Sequence, residues 1–178
     1  KLIMSDKLFS IWLIGPTAAG KTTIAQIMYK KLKNKYPNLV LLDGDELRGL
    51  YDNKLGYDLD SRRQNMQRYI RLAKWVLKYR ICLIGAINGA IESDRKLLRK
   101  EIFNYQEIYL NCSLEERMKR DKKKLYERAL KGEIKNVLDV DLTFETPKNC
   151  DLEFNTENQK PEIIADAIIS HNKLYTKW

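Results

Sequence analysis

Apolar positions along the chain fall into short solid blocks separated by longer segments with helical spacing. The blocks are Phe9-Ser-Ile-Trp-Leu-Ile14, Leu39-Val-Leu-Leu42, Ile81-Cys-Leu-Ile-Gly-Ala86 and Glu107-Ile-Tyr-Leu-Asn111, with a short last one at Asp151-Leu-Glu-Phe-Asn155. Continuous apolar runs of this length read as strands buried on both faces. Between them, Thr23–Leu32 places Ile24, Ile27, Met28 and Leu32 on one helical face. A longer helix is expected from about Ser61 to Lys78, with Met66, Tyr69, Ile70, Ala73 and Val76 on one side and Ser61 as its N-cap. Glu46–Leu50 and Asp94–Glu101 read as helical, and a closing helix runs from Pro161 to about Tyr175. The charged stretch from Leu114 to about Lys131 reads as a helix interrupted near Asp121-Lys122. Tyr51–Asp60 is polar and turn-rich, a surface loop, and Gly132–Pro147 has no clear period. Strands alternating with helices predict a single α/β domain over residues 1–178, a parallel sheet with helices on both faces. Ligands in such folds sit at the carboxyl ends of the strands, where Gly15, Asp43 and Ala86 lie.

The first block runs into Gly15-Pro-Thr-Ala-Ala-Gly-Lys-Thr22, a G-x-x-x-x-G-K-T pattern followed by a helix. Strand, glycine-rich turn and helix together are the context that makes this pattern a P-loop. Gly15 and Gly20 let the backbone curl so that successive N–H groups point inward, and the helix N-terminus adds partial positive charge. Gly15, Ala18, Ala19, Gly20, Lys21, Thr22 and Thr23 are therefore expected to hold the phosphates of ATP. Lys21 would reach the β- and γ-phosphates, and the Thr22 hydroxyl would ligate Mg²⁺. The fold expected is the three-layer P-loop NTPase architecture.

Charge narrows the partners. The chain has 33 Lys and Arg against 24 Asp and Glu, a formal net charge of +9. A basic balance raises nucleic acid as a partner, but no aromatic-interleaved basic stripe or recognised module appears, so none is expected. A positive field that attracts small polyanions accounts for the balance. No apolar run approaches the roughly 18–20 residues of a membrane helix, and no membrane partner is expected. Lys1-Leu-Ile-Met-Ser-Asp6 lacks the apolar core of a signal peptide, and whether Lys1–Ile3 are native is left open. Cys82, Cys112 and Cys150 are odd in number and widely spaced, so they are expected reduced, the first two buried, in a cytoplasmic protein. His171 stands alone and reads as a surface residue.

A short chain with one P-loop and a flexible basic stretch points to a small-molecule kinase. Phosphoryl transfer needs a clamped triphosphate, neutralised charge and an acceptor hydroxyl held in line. Asp43 and Asp45 end the second strand opposite the phosphates, where a carboxylate can take the acceptor's proton or hold a Mg²⁺-bound water. The bland alternative is that Asp45 only caps the next helix. Arg48, Arg62, Arg63 and Arg68 lead away from the same sheet edge and could bind a second anion, although Arg68 and Arg71 read better as a solvated face. Residues of about 119–147 are expected to form a mobile lid in which Lys122, Lys123 and Lys124 supply charge on closure.

These motifs, in this order, resemble those of adenylyl-sulfate kinases. The resemblance runs from Ile11 to about Thr156. It rests on Gly15–Ala25, Leu42-Asp-Gly-Asp45 with Arg48, and Leu55-Gly-Tyr57. Asp60–Asn65, Ser93-Asp-Arg95, Leu125-Tyr126, Gly132-Glu-Ile-Lys-Asn136 and Phe144-Glu145 with Pro147 complete it. It implies transfer of the γ-phosphoryl of ATP to the ribose 3′-hydroxyl of adenylyl sulfate, with Mg²⁺. It further implies Asp45 as the base, Arg48, Arg62, Asn65 and Asn88 as contacts to a small nucleotide acceptor, and Tyr57 as a stacking ring. Lys135 would hold acceptor or phosphate from the lid, and Arg120 would pack on the adenine of ATP. Family members often dimerise, which leaves a homodimer open here.

Two departures touch the acceptor side. Where the family usually has Phe-Ile-Ser-Pro-Phe-Arg, this chain has Ile87-Asn-Gly-Ala-Ile-Glu92, exchanging serine for Gly89 and arginine for Glu92. The family's second stacking aromatic, expected after Lys135-Asn136, is Val137. Stacking on an aromatic is worth about 1–3 kcal/mol per base, so its loss bears on base preference. Altered acceptor residues beside intact phosphate residues suggest the same reaction on another nucleotide. The chain resembles, within the family, the capsule-assembly kinases that phosphorylate the 3′-hydroxyl of cytidine diphosphoramidate, on the route to O-methyl phosphoramidate decoration. Adenylyl sulfate is the alternative acceptor, and a non-catalytic nucleotide-binding protein the alternative of another class.

Overall fold

The computed structural model describes residues 8–174. Lys1–Ile3 and the expected end of the closing helix at Tyr175 lie outside them. Five strands form one parallel sheet: β1 (Ser10–Ile14), β2 (Leu39–Asp43), β3 (Cys82–Ile87), β4 (Tyr105–Asn111) and β5 (Leu152–Asn155), in the order β2-β3-β1-β4-β5. The three central strands are buried along nearly their whole length, which is why they read as unbroken apolar blocks.

Among the described residues seven helices accompany them, six in the connections and one after β5: α1 (Lys21–Leu32), α2 (Gly44–Gly49), α3 (Leu59–Lys78), α4 (Glu92–Glu101), α5 (Leu114–Arg120), α6 (Leu125–Leu130) and α7 (Pro161–His171). Helices α1 and α7 pack together on one face, where Ile24, Met28, Leu32, Ile164 and Ile168 meet Ile11, Leu13 and Ile108. On the other face Met66, Tyr69, Ile70 and Ala73 of α3 and Leu98 of α4 cover Trp12, Ile14 and Leu83. The sheet is thus the middle of three layers.

Register places the chemistry. Ile14 is level with Ile87 and Tyr109, and Asp43 with Ala86, so the P-loop, the β2–α2 turn and residues 88–91 leave the sheet at one edge. Gly15 N–H donates to the carbonyl of Asn88 at 3.2 Å, tying two of these exits together.

The long helix begins earlier than expected. Asp58, not Ser61, is its N-cap: the Asp58 carboxylate accepts from Ser61 N at 2.9 Å and Ser61 Oγ at 2.7 Å. The break in the charged helix falls at 121–124, where Lys124 adopts a left-handed conformation (φ 53°). Cys82 and Cys112 are buried thiols and Cys150 is half-buried, and none of the three is in a disulfide. His171 is exposed at the end of α7.

Candidate active site

Gly20 (φ 90°) and Ala18 (φ 63°) turn the P-loop through the left-handed region, and α1 starts at Lys21. The Lys21 ammonium donates to the carbonyl of Pro16 at 2.6 Å, inside its own loop. Burial drives its pKa down to about 8, against the pull of Asp45 and Asp43. An ammonium held that way gains most by meeting an anion.

The two aspartates at the end of β2 play different parts. Asp43 accepts the Thr22 hydroxyl on Oδ2 at 2.6 Å and the Asp45 N–H on Oδ1 at 2.9 Å, capping α2. The cap is therefore Asp43, and Asp45 does not supply it. Asp45 turns its carboxylate, 77% exposed, towards the lid, where Lys123 Nζ stands 3.4 Å away.

A cavity of about 940 Å³ opens beyond these groups. Its floor carries Asn65, 1% exposed, whose amide oxygen, once turned to face its donors, takes Arg48 Nε at 2.9 Å and Nη2 at 3.2 Å. Arg48 also bonds the carbonyls of Leu55 and Gly56 and lies 4.6 Å over the Tyr57 ring. Arg62 bridges the cavity mouth, donating to Tyr57 O at 2.6 Å and to Asn136 O at 3.0 Å. Burial, then the neighbouring Arg48 charge, lowers the Arg62 pKa. Asn88, Lys135 and Val137 line the same cavity.

A smaller cleft of about 480 Å³ adjoins Gly20 and Thr23, walled by Arg120, Thr156 and residues 157–161. Arg120 is fixed there by Thr156 O at 3.0 Å and Glu116 Oε1 at 3.0 Å. This is the expected place for a base attached to phosphates on the loop.

The family model for adenylylsulphate kinase matches residues 7–155. The chain belongs to the adenylyl-sulfate kinase family. It is 39% identical over 160 residues to a probable adenylyl-sulfate kinase of Archaeoglobus fulgidus, covering 89% of this chain and 96% of that protein. Over 145 residues it is also 39% identical to the cytidine diphosphoramidate kinase of Campylobacter jejuni, covering 82% and 85%. Among solved structures, the Mycobacterium tuberculosis APS kinase in complex with AMPPNP and APS matches with a TM-score of 0.86 at 25% identity, covering 95% of this chain and 99% of that one. The protein is a P-loop phosphotransferase that uses ATP.

Two readings of this kinase need correction. Glu92, expected beside the acceptor, turns its carboxylate to Lys96 one helical turn on at 3.1 Å, and the acidic residue that α4 contributes to the cavity lining is Asp94. Lys124 pairs with Glu127 at 3.6 Å instead of facing the phosphates. Arg68 stands outside the cavity on the part-exposed face expected of it, where its guanidinium lies 4.3 Å over the Tyr51 ring and bonds Asn53 O, pinning the 51–58 loop. Sequence reasoning missed Arg117, which is 4% exposed and reaches Tyr126 and Asp139. It also missed Asp141, which holds the lid turn by accepting the N–H groups of Asn136 and Val137 at 2.6 Å each. Asp139 and Asp141, turn-forming residues just past Lys135-Asn136, were the available signal for the second. Arg117 left none, being one cation among many on a charged helix. Among the described residues no helix is long and apolar enough to cross a membrane.

Proposed function

We propose that this kinase transfers the γ-phosphoryl group of ATP to the ribose 3′-hydroxyl of cytidine diphosphoramidate, which would place it on the route to O-methyl phosphoramidate decoration of capsular polysaccharide. The observation that carries the acceptor is the pairing of Tyr57 with Val137. Arg62 ties the carbonyl of Tyr57 to that of Asn136, the neighbour of Val137, and both Tyr57 and Val137 line the cavity, so a base entering there would meet one ring and one aliphatic group. A purine held between two rings would gain a further 1–3 kcal/mol or so that this cavity withholds. A pyrimidine loses less.

In this reading the acceptor's phosphates lie against Arg48, Arg62 and Lys135. Asn65 and the backbone around residues 55–57 hold Arg48 in place. The 3′-hydroxyl gives its proton to Asp45 as its oxygen attacks the γ-phosphorus, and the bond from that phosphorus to the bridging oxygen of ADP breaks. The Asp45–Lys123 pair is exposed on both sides and worth at most about 1 kcal/mol, so an acceptor can displace it. Lys21, Gly20 and the N–H groups at the start of α1 hold the triphosphate. The Thr22 hydroxyl and the Asp43 carboxylate form an oxygen donor set suited to a hard cation and would hold Mg²⁺. Mg²⁺, when bound there with ATP, neutralises charge on the β- and γ-phosphates.

A second reading, adenylyl sulfate as acceptor, gains from Glu92: with its carboxylate on Lys96, no negative charge from that residue opposes a terminal sulfate. Phosphorus NMR of the product tests the reaction itself. A new 3′-phosphomonoester on the cytidine compound supports the first reading, and its absence with turnover of adenylyl sulfate supports the second.

A further inference from the structure

Arg117 is a buried guanidinium on α5 that touches neither cleft, yet every one of its nitrogens is engaged. Its Nε donates to Cys112 O at 3.0 Å, Nη1 to the Tyr126 hydroxyl at 2.7 Å and Nη2 to Asp139 Oδ2 at 2.8 Å. The Tyr126 hydroxyl has one proton, and it goes to the carbonyl of Thr17 in the phosphate loop at 2.9 Å. On the far side, Asp139 sits in the left-handed region (φ 65°) inside the turn that carries Asn136 and Val137. The carbonyl of Asn136 in turn accepts from Arg62. Hydrogen bonds from Thr17 to Asp139, completed by the backbone of the 136–142 turn, therefore join the phosphate loop to the mouth of the larger cavity.

We propose that Arg117 is a positioning residue that transmits occupancy of the phosphate loop to the acceptor-facing turn at residues 136–142. A phosphate seated on the loop fixes the Thr17 carbonyl. That orients the Tyr126 O–H, which leaves the phenol oxygen as acceptor for Arg117 and so holds the other guanidinium nitrogen on Asp139. Hydrogen bonds in such a chain strengthen one another, and a buried guanidinium cannot release a partner without leaving a charge unpaired. Nucleotide binding would then order the turn before the acceptor arrives, whichever acceptor the kinase takes.

Hydrogen exchange of the full chain with and without Mg-AMPPNP tests this. In the wild type, amides of residues 136–142 should exchange at least about fivefold more slowly with the nucleotide bound, the low end of a typical coupling. Tyr126→Phe keeps the ring and loses only the hydroxyl. Asp139→Gly loses the carboxylate at a backbone angle glycine adopts freely. In both, the nucleotide-induced slowing at 136–142 should fall below about twofold, while protection of α1 shows that AMPPNP still binds. A merely structural role would speed exchange equally in the free and bound states and leave their ratio at the wild-type value. That outcome, or the absence of slowing in the wild type, overturns the proposal.

Discussion

The Thr22 hydroxyl donates to Oδ2 of Asp43 at 2.6 Å, and the other oxygen of that carboxylate holds the N–H of Asp45. Asp43 is therefore spoken for in the resting site, while Asp45, two residues on, keeps an exposed carboxylate facing the cavity. The pair separates into a structural and cation-side group and a group left for the acceptor.

Substitution should separate them too. Asp45→Ala should lower kcat by about a hundredfold or more, the usual yield of a general base, with AMPPNP affinity and Tm close to wild type. Asp43→Ala should weaken Mg-AMPPNP binding and lower stability by about 1 kcal/mol through loss of the α2 cap. Steady-state kinetics beside calorimetric nucleotide binding checks both. Near-normal turnover in Asp45→Ala would move the base to Asp43.

Lys21 makes nucleotide binding pH-dependent. Burial holds its pKa near 8 in the free protein, and a triphosphate beside it raises that value. Binding at or above pH 8 should therefore take up a proton, and affinity should fall as pH climbs through that value. Calorimetry in buffers of different ionisation enthalpy reads the proton directly, and Lys21→Met should abolish it together with transfer. The same depressed pKa works against stability where the ammonium must stay charged. Between about 8 and the ordinary value of 10.5 the unfolded chain holds more protons, so the Lys21 contribution to stability rises with pH. Lys21→Met should accordingly melt no lower than the wild type at pH 7.

Gly89 should resist the serine found in other members of the family. Its φ is +58°, and a Cβ would stand 2.9 Å from two carbons of buried Ile14. Its carbonyl is also held by buried Arg95 at 2.6 Å. Gly89→Ser should cost about 1–3 kcal/mol and raise the acceptor KM more than the ATP KM. Thermal melts and KM values for both substrates measure this, and an unchanged Tm would contradict it.

Val137→Phe should supply the missing ring. The ratio of kcat/KM for adenylyl sulfate to that for cytidine diphosphoramidate should rise about tenfold, as one added stacking contact allows.

The sheet, the P-loop and the aspartate pair were legible in the sequence because each has a local signature. Buried parallel strands read as solid apolar blocks, and the phosphate loop needs its glycines at set places. The start of α3 was misplaced because Asp58 and Ser61 are both good caps within one turn, and the earlier one captured the later one's N–H and hydroxyl. The exchange to Glu92 was visible, but its direction was not. A glutamate opening a helix finds the lysine four residues on, and that contact is decided by α4 and not by the cavity. Arg117 was hidden for a related reason. In Leu114–Arg120 the helix buries the arginine and exposes Met118, so polarity pointed to the wrong face.

The most direct test is a coupled ADP-release assay with Mg-ATP, comparing kcat/KM for cytidine diphosphoramidate and adenylyl sulfate in the wild-type protein. A preference of tenfold or more for the cytidine compound, about 1.4 kcal/mol in the transition state, is the result predicted from Tyr57 and Val137. A preference for adenylyl sulfate would contradict the acceptor assignment and place the kinase in sulfate activation.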